Sequence, residues 1–289
     1  MHYHRAGKRR FAVAGQVAGA VLACLLMLAG AAAAGEGPGL PLWEAGLGAA
    51  PLSMPSYRGS DSREFYPAPM PYLVYRGDFL KLDRDGLRGL LYENPRLELN
   101  ISGDGALPAS SDADTPRAGM PDIDPVGELG PSLNFLLHGD DRLRVRLRLP
   151  VRAVFSSDLT YVDDHGWKVH PNINVKAANV WHGWHAGVTL GPIFADSRYH
   201  AYYYEVDPAY ATPVRPAWKA EGGYSGTALV LSTARRFGNL WVGMFMRYDN
   251  LDGAAFVGSP LVETRHSVMA GVAVARVFWR SDRTVPSER

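Results

Sequence analysis

The segment Arg142-Leu143-Arg144-Val145-Arg146-Leu147-Arg148-Leu149-Pro150-Val151-Arg152 constrains the fold more than any other in the chain. Its period is two. Arg142, Arg144, Arg146, Arg148 and Arg152 share one face, and Leu143, Val145, Leu147, Leu149 and Val151 share the other. As a helix it would have no apolar stripe, so it is a strand. Five arginines on one face repel one another and need water or neighbouring carboxylates. A polar lumen backed by a lipid-facing apolar surface satisfies both faces. A soluble antiparallel sheet with one wet face is the competing reading.

The pattern recurs. Arg96, Glu98, Asn100 and Ser102 alternate with Leu97, Leu99 and Ile101. Asn172, Asn174 and Lys176 alternate with Ile173, Val175 and Ala177, and His185 to Gly191 repeats the theme. Twelve strands are predicted, roughly at 42–50, 68–76, 79–83, 86–91, 95–103, 126–138, 141–155, 166–178, 182–195, 225–237, 239–250 and 263–279. Tight turns fall at Gly77, Tyr92-Glu93-Asn94, Gly139-Asp140, Asn179-Val180-Trp181 and Gly238. Long connections fall at 51–67, 104–125, 156–165, 196–224 and 251–262. With twelve strands all long connections emerge on one side, together with the short Arg84-Asp85 turn, and the tight turns and both termini on the other. That asymmetry is how outer-membrane barrels are built. An even count of ten is the fallback. Tyr75, Tyr92, Phe135, Trp181, Trp184, Phe237, Trp241, Phe278 and Trp279 gather near the tight-turn side, as an interfacial girdle would. The fold class is therefore all-β: a transmembrane antiparallel β-barrel.

The N-terminus supplies the route to the membrane. Arg5, Lys8, Arg9 and Arg10 precede an uncharged stretch from Phe11 to Gly30, then Ala31-Ala32-Ala33-Ala34. Residues 1–34 are expected to be a secretory signal peptide, 35–279 the barrel and 280–289 a polar, disordered tail. A retained membrane anchor is the alternative for the first segment. Removing its four basic residues from 30 leaves 26 Lys+Arg against 29 Asp+Glu, a formal charge of −3. The single cysteine, Cys24, would leave with it. Disulfides, thiol chemistry and Cys-ligated metals are then excluded from the mature chain. No stretch of about 20 apolar residues follows, so no helical span is expected.

No catalytic residues, metal site or cofactor is predicted. The serine-hydrolase spacing G-x-S-x-G does not occur, and His266-Ser267 would face opposite sides of a strand. His182 and His185 likewise point apart, and Asp163-Asp164-His165 lacks a third ligand. The candidate lumen-lining residues are Arg96, Glu98, Arg142, Arg144, Arg146, Arg148 and Lys176. If water fills the lumen they favour anions; if Glu98 and Glu128 pair with the ladder, it is structural and the pore is shut. Tyr199, Tyr202, Tyr203 and Tyr204 open the longest external connection. They suit external recognition, or else fold inward as a plug. The loop 104–125, rich in Asp, Pro, Ser and Gly, is expected to be mobile.

Several short motifs carry a family resemblance. They are Tyr57-Arg58-Gly59-Ser60-Asp61 with Pro67-Ala68-Pro69, Phe79-Leu80 through Gly86-Leu87, Gly130-Pro131-Ser132-Leu133, Tyr203-Tyr204-Glu205-Val206, Gly258-Ser259-Pro260-Leu261-Val262 and the last strand from Ala270 to Phe278. In this order and spacing the chain resembles the MltA-interacting protein (MipA/OmpV) family of Gram-negative outer-membrane proteins. The resemblance implies a non-enzymatic scaffold that brings a lytic murein transglycosylase together with a penicillin-binding murein synthase. It also implies assembly into outer-membrane lipid by the barrel assembly machinery. A narrow anion-leaning channel and an adhesin acting through external loops are the alternatives; no nucleic-acid partner is expected. One departure is that Phe278-Trp279 is followed by ten polar residues, where such barrels usually end on an aromatic.

Overall fold

The computed structural model describes residues 39–83, 86–111, 115–157 and 161–286, with the side chain of Ala68 excepted. The predicted signal peptide therefore lies outside the described residues. Twelve strands form one antiparallel sheet. They are β1 (Trp43–Pro55), β2 (Arg63–Arg76), β3 (Leu80–Asp83), β4 (Gly86–Glu93), β5 (Leu97–Ala106), β6 (Val126–Gly139) and β7 (Leu143–Ser157), then β8 in two segments (Val162–Val169 and Asn172–Trp181), β9 (Trp184–Ala195), β10 (Gly223–Phe237), β11 (Leu240–Asn250) and β12 (His266–Arg280). Each pairs with the next, and β12 pairs with β1, so the sheet closes on itself. No helix among the described residues is long and apolar enough to cross a membrane.

The break in β8 falls at His170-Pro171. Proline has no N–H to give the ladder, yet the register resumes directly: Val169 faces Val151 and Asn172 faces Arg148. Two segments thus serve as one strand, and the barrel has the even count expected.

Alternation places the faces as the sequence indicates. On β5, Glu98, Asn100 and Ser102 are buried inward while Ile101 is exposed. On β12, Ser267, Gly271, Ala273, Ala275 and Val277 are buried, Met269 of the same face is half-buried, and Val268, Ala270, Val272, Val274 and Arg276 are exposed. Leu47, Leu73, Leu129, Leu190, Val272 and Val274 belong to the outward apolar belt. Trp43, Tyr92, Trp181, Phe237, Phe278 and Trp279 stand exposed at the tight-turn end. Trp241 departs from the expected girdle: it is 1 % exposed and points inward against Tyr72.

The sequence boundaries need four corrections. First, β1 and β2 reach far into the predicted loop 51–67, leaving only residues 56–62 to connect them. The prolines there are compatible with pairing because Pro51 faces Pro67, and neither needs to donate to the other. Second, the turn predicted at Asn179-Val180-Trp181 lies at His182-Gly183. His182 (φ 45°) and Gly183 (φ 83°) take the left-handed conformation there, and the Gly183 N–H donates to Asn179 Oδ1 at 2.7 Å. Third, the described part of the loop 104–125 is packed rather than loose. Ala109 and Ile123 bridge, and Arg117 is buried with Nη1 on the Tyr203 carbonyl. Fourth, the polar tail is held. Thr284–Val285 pairs with Leu40–Pro41, and the Ser281 N–H donates to the Trp43 carbonyl.

Candidate functional site: the capped lumen

The external end of the barrel is closed by its own loops. Tyr57, Ala109, Ile123, Val126, Val154, Ala195, Tyr199, Tyr203, Tyr204, Leu251, Ala254 and Phe256 form one buried apolar cluster. They come from four different connections as well as from strand ends. The centre is the helix α1 (Ser197–Tyr204), which Asp196 caps by accepting from the Tyr199 N–H. Its motif of aromatics at one- to four-residue spacing turns three tyrosines and His200 into the barrel axis. Tyr204 stacks on Phe256 with centroids 3.8 Å apart and planes 2° apart.

Three motifs distant in sequence meet here. The Tyr204 hydroxyl donates to the Arg58 carbonyl at 2.9 Å. The Ser259 hydroxyl donates to the Tyr204 carbonyl at 2.7 Å. The Tyr57 hydroxyl donates to the Leu261 carbonyl at 2.8 Å. Burial pushes the Tyr57 hydroxyl up to about 12 and holds those of Tyr203 and Tyr204 well above the usual tyrosine range, so all three stay neutral donors.

Arg58 fastens the cap to the barrel. Its Nη2 donates to the Ser225 carbonyl at 2.5 Å and its Nε meets Asp249 Oδ1 at 3.0 Å. Asp249 also accepts from Arg247 through Nε at 2.7 Å and Nη2 at 2.8 Å. Gly226 takes φ +94° beside this contact, and a Cβ there would lie 2.9 Å from Arg58 Nη2. Only glycine leaves room for the guanidinium. His200 links the same point to α1, with Nδ1 2.6 Å from the Glu221 carbonyl and Nε2 3.1 Å from Ser225 Oγ. Ser225 and His200 thus have the spacing of a nucleophile and its base. Both are fully buried, however, and Ser225 Oγ also accepts from Arg58 Nη1 at 3.3 Å. The pair ties strand to cap. Burial pushes the His200 imidazole below the usual histidine range.

Sequence reasoning offered two fates for Tyr199, Tyr202, Tyr203 and Tyr204. Tyr199, Tyr203 and Tyr204 are buried and Tyr202 is half-buried, so the four turn inward at the external end. It did not single out Arg58, His200, Phe256 or Ser259 as cap residues. The motif strings containing Arg58 and Ser259 were visible, but nothing local in sequence says that three loops meet.

Beneath the cap the interior is divided. On one wall Ala50, Met70, Tyr72, Val74, Ala234, Trp241, Ala273, Ala275 and Val277 pack as an apolar cluster. The opposite wall is charged. Arg152 Nη1 meets Asp104 at 2.9 Å and Glu128 at 3.7 Å, and Lys168 also pairs with Glu128. Lower down, Arg88 donates to Asp83 at 2.5 and 3.0 Å and lies 3.7 Å from Glu98. Glu98 also accepts from Asn100 at 2.5 Å and Asn134 at 3.1 Å.

The arginine ladder divides between these settings. Its outermost rung, Arg152, is neutralised by Asp104 and Glu128. Arg144, Arg146 and Arg148 are half-buried inward rungs, opposite Lys176, Asn174 and Asn172 in register. Arg142 and Arg96 depart from the expected lining: both are exposed, each just before a strand at the tight-turn end. At the Arg142 turn, Asp140 Oδ1 accepts from the Arg142 and Leu143 N–H groups, both at 2.7 Å. Those bonds hold its carboxyl at about 2. Glu98, Arg144, Arg146, Arg148 and Lys176 remain together on the inner face.

Comparison with known proteins gives a family. The family model described as MltA-interacting protein MipA matches residues 47–278. Among solved structures the chain is similar to a bacterial polysaccharide outer membrane secretin, at 9% identity and TM-score 0.39, over 82% of this chain and 99% of that one. It is similar to an outer membrane channel from Pseudomonas putida F1, at 12% identity and TM-score 0.38, over 86% and 100%. It is also similar to the NanC porin, at 6% identity and TM-score 0.37, over 80% and 98%. No curated protein sequence matches.

Proposed function

The chain belongs to the MltA-interacting protein MipA family, and on that premise we propose that this outer-membrane barrel is a capped, non-enzymatic scaffold. Its periplasmic end engages a murein transglycosylase and, through it, a penicillin-binding murein synthase. The observation that carries the reading is the cap: three family-motif segments are spent on closing the external mouth. A wall that closes its own channel is suited to anchoring rather than passage. The contact surface proposed is the tight-turn end, where the tail is pinned. Thr284–Val285 lies against Leu40–Pro41, and Arg280 and Arg283 are exposed beside it. This gives the ten residues after Trp279 a role outside the bilayer.

The test is capture of a purified murein transglycosylase by the full mature protein in liposomes, compared with a variant lacking residues 281–289. Binding that weakens on deletion, with heat-modifiable barrel mobility retained, supports the scaffold. Binding absent from the intact protein refutes it.

A second reading, the anion-leaning channel, rests on the inward rungs Arg144, Arg146 and Arg148 with Lys176. Planar-bilayer conductance decides it. An anion-selective current abolished by Arg144→Glu plus Arg146→Glu would move transport ahead of scaffolding. An adhesin acting through the external loops would rest on exposed loop residues such as Val214 and not on the inward-turned tyrosines.

A further inference from the structure

The barrel wall is not equally tall all round. β2 has 14 residues, but β3 on its other side has 4. Only Tyr75 and Arg76 of β2 pair with β3. Likewise Ser102 is the outermost residue of β5 to pair with β4, and Gly103–Ala106 pair only with β6. Among the described residues no strand pairs with the second edge of Arg63–Val74. The hairpin of β3 and β4 therefore fills only the lower part of the interval between β2 and β5. Above it, Leu107 packs with Leu52, and Met54 and Tyr66 pack against that pair. The Tyr66 hydroxyl lies 3.2 Å from the Pro108 carbonyl. The interval is thus framed on four sides.

The free edge is chemically specialised. In an antiparallel pair, alternate residues turn their N–H and C=O toward the partner or away from it. Pro51 faces Pro67, and neither has an N–H, so that pair exchanges no bonds. The Arg76 N–H, of opposite parity to Pro67, bonds the Leu42 carbonyl on the β1 side. Both facts set the same phase: positions 67, 69 and 71 aim their backbone at the open interval. All three are proline. An edge with no donor at three successive outward positions cannot template another strand. Among the described residues this interval stays unpaired over about 20 Å of strand, at about 3.3 Å per residue from Pro67 to Leu73.

We propose that this interval is a lateral portal through which an amphiphile of the outer leaflet, bearing one apolar tail and a polar or zwitterionic head, enters the lumen. The two jambs fit such a molecule. On the β2 side Met70 and Tyr72 are buried inward, continuous with Trp241 and Ala273, and Phe65 and Leu73 are exposed outward. On the β4–β5 side stand the Arg88–Asp83 and Arg152–Asp104 pairs. A tail lies along the first jamb and a head against the second. The axial route from outside is closed by the cap, so the wall is the entry available to a molecule already in the bilayer. The scaffold reading plays no part in this argument.

The test uses the full mature protein in phospholipid liposomes with a lysophosphatidylethanolamine carrying a photoreactive diazirine at its tail end. Adducts are mapped by mass spectrometry. Adducts on the inward residues Met70 and Tyr72, together with none on the buried Ala228 of the fully paired wall, are expected. Adducts confined to outward residues such as Phe65, Leu73 and Leu47 would overturn the portal. A triple variant, Pro67→Thr, Pro69→Thr and Pro71→Thr, returns three N–H donors to the edge. Loss of the Met70 and Tyr72 adducts is expected, with heat-modifiable mobility retained. Undiminished adducts in that variant would overturn the assignment of the prolines. Protection of the same residues by a bound β-strand peptide would place a protein partner, and not a lipid, at this edge.

Discussion

Tyr204→Ala is the sharpest perturbation of the cap. The ring is 2 % exposed, stacks flat on Phe256 and donates its hydroxyl to the Arg58 carbonyl. Truncating a buried aromatic costs roughly 3–5 kcal/mol, through lost transfer free energy and the cavity left behind. The cap is built from loops, so the cost falls on local opening before it falls on the barrel. At 1.4 kcal/mol per decade, the open fraction should rise by roughly two to three and a half orders of magnitude. The assay is the initial rate of proteolysis within residues 205–222, with the protein in liposomes and the protease outside. When reclosing is fast against cleavage, that rate follows the open population. Tyr204→Phe keeps the stack and loses one hydrogen bond worth about 1 kcal/mol, so it should be cleaved only about fivefold faster. If Tyr204→Ala is cut at the parent rate while its barrel mobility is unchanged, the aromatic cluster is not what holds the cap shut.

Three further outcomes follow from the same geometry. The His200 pKa is lowered by burial. Its contribution to cap stability is therefore full above the unfolded histidine value of about 6.5 and is lost as pH falls from there through the folded value; loop proteolysis should accelerate over that window, and His200→Gln should flatten the dependence. Arg152→Ala strips a buried cation from Asp104 and Glu128 and should cost about 3–5 kcal/mol, read as a lower temperature for loss of heat-modifiable mobility; Arg152→Met with Glu128→Gln should recover part of it. Arg146→Cys, in a chain whose one native cysteine, Cys24, is replaced by Ser, should react with a maleimide too large for porins only after the periplasm is opened to it; reaction in intact cells would refute an external closure.

The barrel was legible because alternation and turn length are local signals that repeat around the sheet. Arg144 to Val151 gives its two faces without any knowledge of its neighbours. The evenness of the strand count forced the short hairpin of β3 and β4 to be counted as two strands, which the pairing of Leu82 with Leu87 bears out. Prolines misled the boundaries: Pro51, Pro67, Pro69 and Pro71 look like loop until pairing shows which edge each one faces. The cap was legible only as separate strings. Tyr57, Tyr204 and Leu261 are up to 204 residues apart, and no periodicity connects a hydroxyl in one loop to a carbonyl in another. Trp241 shows the same limit in a strand, where an aromatic near the rim suits a girdle or a core equally until its parity is known.

The divided interior shows how this barrel carries buried charge. A guanidinium in a dry interior costs several kcal/mol of desolvation unless an acid offsets it. Near the cap, Arg58 and Arg247 meet Asp249, and Arg152 meets Asp104 and Glu128. Toward the tight turns, Arg236 and Arg76 meet Glu44, and the fully shielded Arg88 has Asp83 and Glu98 beside it. Carboxylates therefore accompany shielded guanidinium groups at both ends of the barrel, so removing one partner of such a pair costs more than its exposed counterpart would.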